Sequence, residues 1–303
     1  MAFTAADVKN LREMTGVGMM ECKKALTEAD GNIDKAVEWL REKGLATAQK
    51  KAGRIAAEGV AYAAVVNGVG VAVEVNAESD FVAKNELFNE YVKGVAAVIA
   101  KENPADVEDL YTKPYGNGKT VKEEQNDKVL VIGENINVRR FQRFPEGVSV
   151  PYVHMGGKIG VIVNFKTDLS AESINEMGKD VAMQIAALNP RFWDKSQVSD
   201  DVIAEEKKIM MAQMAEDPKM ANKPEKVREN IVMGKLGKFY AENCLLQQEF
   251  VKDNALTVEK YIASTAKALG GSIEFAGAVR FEKGEGIEKR VDDLAAEVAK
   301  MVK

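Results

Sequence analysis

Apolar residues recur at helical spacing through the first forty or so positions of the chain. In "TAADVKNLREM", Val8, Leu11 and Met14 fall on one face, and Thr4 is placed to cap the first turn. Gly16 and Gly18 in "TGVG" allow a tight turn. "MMECKKALTEA" predicts a second helix, ended by "DGN". In "IDKAVEWLREKG", Ile33, Val37 and Leu40 are spaced i, i+4, i+7, with Gly44 placed as a C-cap. Residues 4–44 therefore predict three short helices. The alanine-rich stretch 45–59, "LATAQKKAGRIAAEG", predicts a linker, helical in part.

The pattern then changes period. "VAYAAVVNGVGVAVEVN" is valine-rich with "NG" at its middle, which predicts strand, turn, strand. From Glu86, the positions of Phe88, Tyr91, Val92, Val95 and Ile99 predict a helix. A second copy of this order follows about 90 residues on: "GVAVEVNAESD" begins at Gly70 and "GVIVNFKTD" at Gly160, the latter followed by a helix carrying Ile174, Met177, Val181 and Leu188. Between the copies, "NDKVLVIGENINVRRFQRF" reads as strand material. Beyond Pro190 comes a polar helical pair, "SDDVIAEEKKIMMAQMAE" with Ser199 as N-cap and "PEKVRENIVMGKLGKFYAE" with Pro224 at a first helical position. A dimerisation arm is one reading of 199–241; its apolar stripe is thin and its two halves can pair with each other, which favours an intramolecular coiled coil. "SIEFAGAVRFE" predicts one more strand and "IEKRVDDLAAEVAKMVK" a closing amphipathic helix. The fold class expected is α+β.

Composition narrows the chemistry. The 303 residues are 46% hydrophobic and 29% charged, ordinary for a globular chain of two or three domains. A net charge of −5 argues against non-specific nucleic-acid binding. Two cysteines, Cys22 and Cys244, and one histidine, His154, do not suffice for a common Cys/His zinc cage, and isolated thiols suit a reducing cytoplasm. Neither a signal peptide nor a membrane span is expected.

Catalytic motifs fail on inspection. "GNGKT" at 116–120 has Lys113 where a phosphate loop needs its first glycine, and "GVG" at 68–70 has Val73 where a dinucleotide fingerprint needs its third. His154 lacks a nucleophile motif beside it; a structural role competes with a general-base role. Arg139, Arg140 and Arg143 offer either a phosphate grip or, more plainly, a solvated strand edge. The chain is expected to work by binding and not as an enzyme, with no cofactor or metal. In "NAESDFVAKNELF", Ser79 or Asp80 can cap the following helix, which would turn Phe81 into the core on the face of Phe88. Alternatively, the Asp80–Phe81 pair projects into a partner. Met19 and Met20 either fill a small core or meet a partner; adjacent helical residues point about 100° apart, so both cannot face inward equally.

At "MTGVGMMECKKAL", "NAESDFVAKNELF", "YVHMGGKIGV" and "RFEKGEGIEK" the chain resembles the bacterial elongation factor Ts family, over nearly all of residues 4–300. Ser79 stands where that family usually has threonine; the hydroxyl is kept. The resemblance implies a ubiquitin-associated-like helical domain at 1–45, a linker at 46–59, a core subdomain at 60–147, and a second at 148–196 and 242–284. It also implies a coiled-coil hairpin at 197–241 and a C-terminal helical module at 285–303. It implies a cytoplasmic guanine nucleotide exchange factor for elongation factor Tu, met in its GDP-bound and nucleotide-free forms, with no direct nucleic-acid or membrane partner. The residues carried over are Asp80, Phe81, Val82 and Ala83, for dislodging the GTPase's magnesium, and Leu11, Met19, Met20 and His154, for partner contact. On this basis projection of Phe81 is favoured over core burial.

Overall fold

The computed structural model describes residues 3–116, 118–217 and 223–288. Helices and strands alternate without long parallel runs, which is the α+β class expected. The described residues pack as two units, one of 3–145, 153–160 and 281–288, the other of 146–152 and the described part of 161–280.

The first unit opens with α1 (Ala5–Thr15), α2 (Met19–Glu28) and α3 (Ile33–Lys51). Thr4 and Asp7 form a capping box: the Asp7 backbone N–H donates to the Thr4 hydroxyl at 3.3 Å, and the Thr4 backbone N–H donates to the Asp7 carboxylate at 2.7 Å. Val8, Leu11, Cys22, Leu26, Ala36 and Leu40 close a small core. A core of this size is marginal alone, and Leu130 and Val131 of α7 (Val121–Ile132) pack against it. Helix α3 continues to Lys51, so residues 45–51 of the alanine-rich stretch are helix. Gly44 is therefore interior to α3 and not its C-cap; a Cβ there would make an ordinary 3.4 Å contact with the Asn126 carbonyl of α7.

Strands β1 (Glu58–Val66) and β2 (Val69–Ala77) pair antiparallel across the Asn67–Gly68 turn, both turn residues having positive φ. One-turn helix α4 (Asp80–Ala83) follows, then α5 (Glu86–Glu102), α6 (Val107–Thr112) and the small β3 (Pro114–Gly116) and β4 (Lys119–Thr120). The "KVLVI" run expected as strand is the end of helix α7. Thr120 and Glu123 supply a capping box and Gly133 an αL cap at φ 84°, and only residues 137–144 of that stretch form a strand, β5 (Asn137–Phe144). The sheet order is β1-β2-β5. Val71, Val73, Val75 and Ala77 pack on Phe88, Tyr91, Val95 and Ile99 of α5.

The second unit is built on most of β6 (Val148–His154), β7 (Ile159–Thr167) and β10 (Ile273–Glu282), whose residues 153–154, 159–160 and 281–282 belong to the first unit, and on α8 (Ala171–Leu188); the sheet order is β10-β7-β6. Hairpin, helix and a third strand beside the second strand thus recur in the order of the first unit. Helices α9 (Asp200–Glu216) and α10 (Glu225–Asn243) pack on each other; the Ser199 hydroxyl caps α9, and Pro224 is the N-cap of α10, one position before the place expected for it. Phe239 and Leu236 pack with Val202, Ile203 and Met210 near their base. Short β8 (Glu249–Phe250), β9 (Asp253–Thr257) and α11 (Val258–Leu269) complete the unit. Buried Asp180 on α8 accepts from Lys252 Nζ at 2.6 Å and Tyr261 Oη at 2.9 Å; burial first, then this carboxylate, pushes the Tyr261 hydroxyl's pKa up. The closing helix expected beyond 288 and the tip of the helical hairpin at 218–222 lie outside the described residues. No described helix is long and apolar enough to cross a membrane.

Candidate functional site

The stretch that leaves β2 is held from three sides. On its N-terminal side, the Ser79 backbone N–H and hydroxyl donate to the Glu134 carboxylate at 2.9 and 2.6 Å. The exchange is mutual, because the Asn135 backbone N–H donates to Glu78 at 2.6 Å. On its C-terminal side, Asn89 Nδ2 donates to the carbonyls of Ala83 and Asn85, both at 2.9 Å. From beneath, Val82 is buried in the valine core and Ala83 packs against it.

These anchors decide where Phe81 points. Neighbouring residues of a helical turn differ by about 100°; with Val82 turned inward, Phe81 turns out and is 79% exposed. The core placement of Phe81 is therefore overturned. So is the cap that would have produced it. Ser79 precedes α4 but makes no side-chain cap bond, its hydroxyl being spent on Glu134, while Asn85 caps α5 by accepting from the Phe88 N–H at 3.2 Å. Asp80 is exposed beside Lys84 at 3.8 Å, a surface pair worth about 0–1 kcal/mol. An aromatic ring held out on a well-pinned turn, flanked by a carboxylate, is suited to insertion between packed elements of another protein.

A second apolar surface lies on the helical module. Met19 and Met20, opening α2, are 44% and 65% exposed, so neither fills the core, and Met14 is exposed as well. Leu11 is completely buried in the helical core. Its side chain is enclosed there and offers no surface for the partner contact that the resemblance implies.

His154 ends β6 at a tight turn, where its carbonyl accepts from the N–H groups of Gly157 and Lys158 at 3.2 and 3.0 Å. Met155, at φ 47°, is exposed at that turn. The Gly157 carbonyl accepts from the Ala61 N–H at 2.8 Å, which docks the turn on the outer edge of β1.

Two of the three arginines of β5, Arg139 and Arg140, grip a buried carboxylate, and the row is not simply a solvated edge. Glu74 on central strand β2 has no exposed surface. It accepts from Arg139 Nη1 (3.0 Å), Arg140 Nε (2.6 Å), Asn76 Nδ2 (3.1 Å) and the Gly284 N–H (2.8 Å). Successive strand residues face opposite sides. Here the register shifts after Glu74, pairing Glu74 with Arg140 and Val75 with Val138, so Arg139 is the extra residue of a bulge and both arginines reach one side. Arg140 also pairs with Glu285 at 2.9 Å and lies over the Phe281 ring at 4.5 Å. Arg143 donates to the Ala100 carbonyl at the end of α5. Residues 281–285 are thus locked to the first sheet, and Gly284, at φ 69°, has room for no Cβ because one would sit 2.0 Å from the Ala57 carbonyl. In "GNGKT", Lys119 binds Asp127 at 2.6 Å and Glu124 at 3.5 Å; burial opposes its charge, yet these carboxylates hold its pKa above the ordinary lysine value.

Local spacing marks neither Glu134 nor Glu78, whose partners lie 55 and 57 positions away. The one visible signal was Glu74, a carboxylate inside a valine run. Among the described residues no cluster of three or more His, Cys, Asp or Glu could hold a metal ion.

Residues 78–285 match the family model described as "Elongation factor TS". The chain is 48% identical to a protein named Elongation factor Ts from Syntrophotalea carbinolica over 307 residues, covering 100% of each chain. Two others of the same name, from Nitratiruptor sp. and Clostridioides difficile, are 48% and 46% identical, covering 100% and 99% of each chain.

Proposed function

The chain belongs to the elongation factor Ts family, a family of translation elongation factors, and from that membership we propose that it is a guanine nucleotide exchange factor for elongation factor Tu. It binds the GDP-bound GTPase, disturbs the magnesium and phosphate site with Asp80 and Phe81, and promotes release of GDP so that GTP rebinds. In this reading it makes no covalent change and is not an enzyme. It works in the cytoplasm, without nucleic acid or membrane as direct partner. Residues 1–45 act as a ubiquitin-associated-like domain beside two core subdomains, a coiled-coil hairpin and a C-terminal helical module.

The observation that carries this reading is Phe81: 79% exposed, yet anchored on both sides and from below. A core residue would be enclosed, and a passive surface aromatic would need no such support. The physics of the task fits. Bound Mg²⁺ is among the largest local charges in a nucleotide site. A ring entering between packed elements moves them in discrete steps, because packed interiors do not stretch. Coupling is reciprocal, so a factor that prefers the empty GTPase lowers its nucleotide affinity by the same factor. Met19, Met20, Met14 and the turn at His154 and Met155 add contact area that supplies the differential binding energy.

The test is release of labelled GDP from purified elongation factor Tu, with and without this protein. Acceleration should be larger with abundant Mg²⁺ than with the ion chelated, by on the order of tenfold, within the usual range of coupling free energies. Without Mg²⁺ the nucleotide has already lost the anchor on which the factor acts. Equal acceleration in both would mean that the ring moves phosphate-binding backbone and not the ion. No acceleration in either would remove the exchange reading.

A further inference from the structure

We propose that Glu134 is the positioning residue of the Asp80–Phe81 tip, and that the Glu78–Ser79 and Glu134–Asn135 segments form a mutual clamp that sets the direction of Phe81. The proposal rests on the exchange reading for its consequence in the partner, but its structural half stands by itself.

The observations converge on one junction. Glu134 takes both donors that Ser79 has, the backbone N–H at 2.9 Å and the hydroxyl at 2.6 Å. A carboxylate that accepts two bonds from one residue fixes its orientation as well as its place. By taking the hydroxyl, Glu134 denies Ser79 its usual use, which is to cap the helix that follows. Glu78 returns the contact through the Asn135 N–H at 2.6 Å. The two segments are thus stitched by three charge-assisted bonds immediately before the projecting ring. The far side of the turn is fixed by Asn89 and the underside by Val82. Without the Glu134 anchor, the turn would keep its buried valine and lose the constraint on its entry direction.

The same junction reaches the end of the helical module. Asn135 Nδ2 donates to the Arg54 carbonyl at 2.8 Å and to the Ala52 carbonyl at 3.5 Å, and Arg54 pairs with Glu78 at 3.5 Å. The segment that leaves α3 and the segment that carries Phe81 are therefore held by adjacent residues, 134 and 135. Ser79 matters here through its hydroxyl, so threonine should replace it and alanine should not.

The experiment compares wild type with Glu134→Gln, Ser79→Ala, Ser79→Thr and the Ser79→Ala/Glu134→Gln pair, using two readouts. The first is amide hydrogen exchange of residues 79–85 in the isolated full chain. Glu134→Gln should speed exchange there on the order of tenfold, as expected for losing bonds to a charged group, with the sheet unaffected. The second is the rate of labelled GDP release from elongation factor Tu as the factor is titrated. Glu134→Gln should lower the saturating rate on the order of tenfold while the half-saturating concentration stays within about twofold. Ser79→Ala should show a smaller loss, the pair no more than Glu134→Gln alone, and Ser79→Thr none. A merely structural role would lower stability and folded fraction without this split between saturating rate and half-saturation. Unchanged hydrogen exchange at 79–85 in Glu134→Gln overturns the clamp. Faster exchange there with a wild-type saturating rate overturns the positioning role. If wild type itself fails to accelerate release, the exchange reading falls, while the hydrogen-exchange result still decides the clamp.

Discussion

Replacing Phe81 with alanine is expected to leave the melting temperature within about 2 °C of wild type and to cut the acceleration of GDP release by roughly tenfold to a hundredfold. The two halves have separate causes. The ring is 79% exposed and is not part of the valine core beneath it, so its removal opens no cavity. A buried phenylalanine would cost about 3–5 kcal/mol. Aromatic residues that enter a partner, by contrast, commonly account for about 2 kcal/mol or more of binding or coupling energy, which is the size of the expected rate loss. Thermal melting and labelled-GDP release, measured on the same preparations, check both. A wild-type exchange rate in Phe81→Ala would take the ring out of the mechanism. Val82→Ala is the useful contrast: its side chain is buried, so stability and rate should fall together.

Glu74→Ala is expected to be the most destabilising of the substitutions considered, by about 3–5 kcal/mol, because breaking a buried ion pair strands the remaining charges. Four donors converge on this carboxylate, and two of them are guanidinium groups less than one-third exposed. Glu74→Gln should be nearly as costly, since its NH₂ group would face cations. With about 2–4 °C lost per kcal/mol for a domain of this size, the melting temperature should drop by on the order of 10 °C. Limited proteolysis should open first near residues 281–288, whose Gly284 N–H and Glu285 depend on the same cluster. A change under 2 °C would mean that water compensates the arginines and the cluster contributes no net stability.

The two glutamate sites differ in what they hold. Glu74 ties a central strand to an edge strand and to a distant segment, so its loss is felt through the whole first sheet. Glu134 holds a surface turn whose underside remains anchored by Val82. Its loss should therefore appear in geometry and rate before it appears in melting.

Much of the local structure could be read from the chain because its code is short-range. Thr4 and Ser199 cap their helices where the spacing predicts, and "NG" at 67–68 turns the first hairpin. Helix α5 begins at Glu86 with the apolar face expected. A cap, a two-residue turn or a repeated face depends on groups within a few residues of each other, so composition and spacing specify it. In the "KVLVI" run two short-range signals conflict, its β-branched residues and the Thr120–Glu123 capping box upstream. β-branched residues favour strand, yet the box and the packing of α3 against α7 make the run helical. Helix α11 carries its own short-range signal, the Thr257 hydroxyl that accepts from the Lys260 N–H, without a preceding change in apolar pattern to announce it.

Short-range spacing sets α1, α2, α3, α5, α8, α9 and α10, the first hairpin and the recurrence of hairpin and helix, and the quoted motifs carry the family resemblance. Long-range packing sets which way Phe81 faces, encloses Leu11 but not Met19 and Met20, and brings Arg139 and Arg140 to the same carboxylate. Each of these turns on a partner far away in the chain: Glu134 lies 55 positions from Ser79, and Glu74 lies 210 from Gly284. A four-residue helix has no periodicity from which to infer a face, and a bulge leaves no mark in local spacing. Their direction is set by whichever distant donor or acceptor the fold brings within about 3 Å, and hydrogen bonds to charged groups are strong enough to override the local preference.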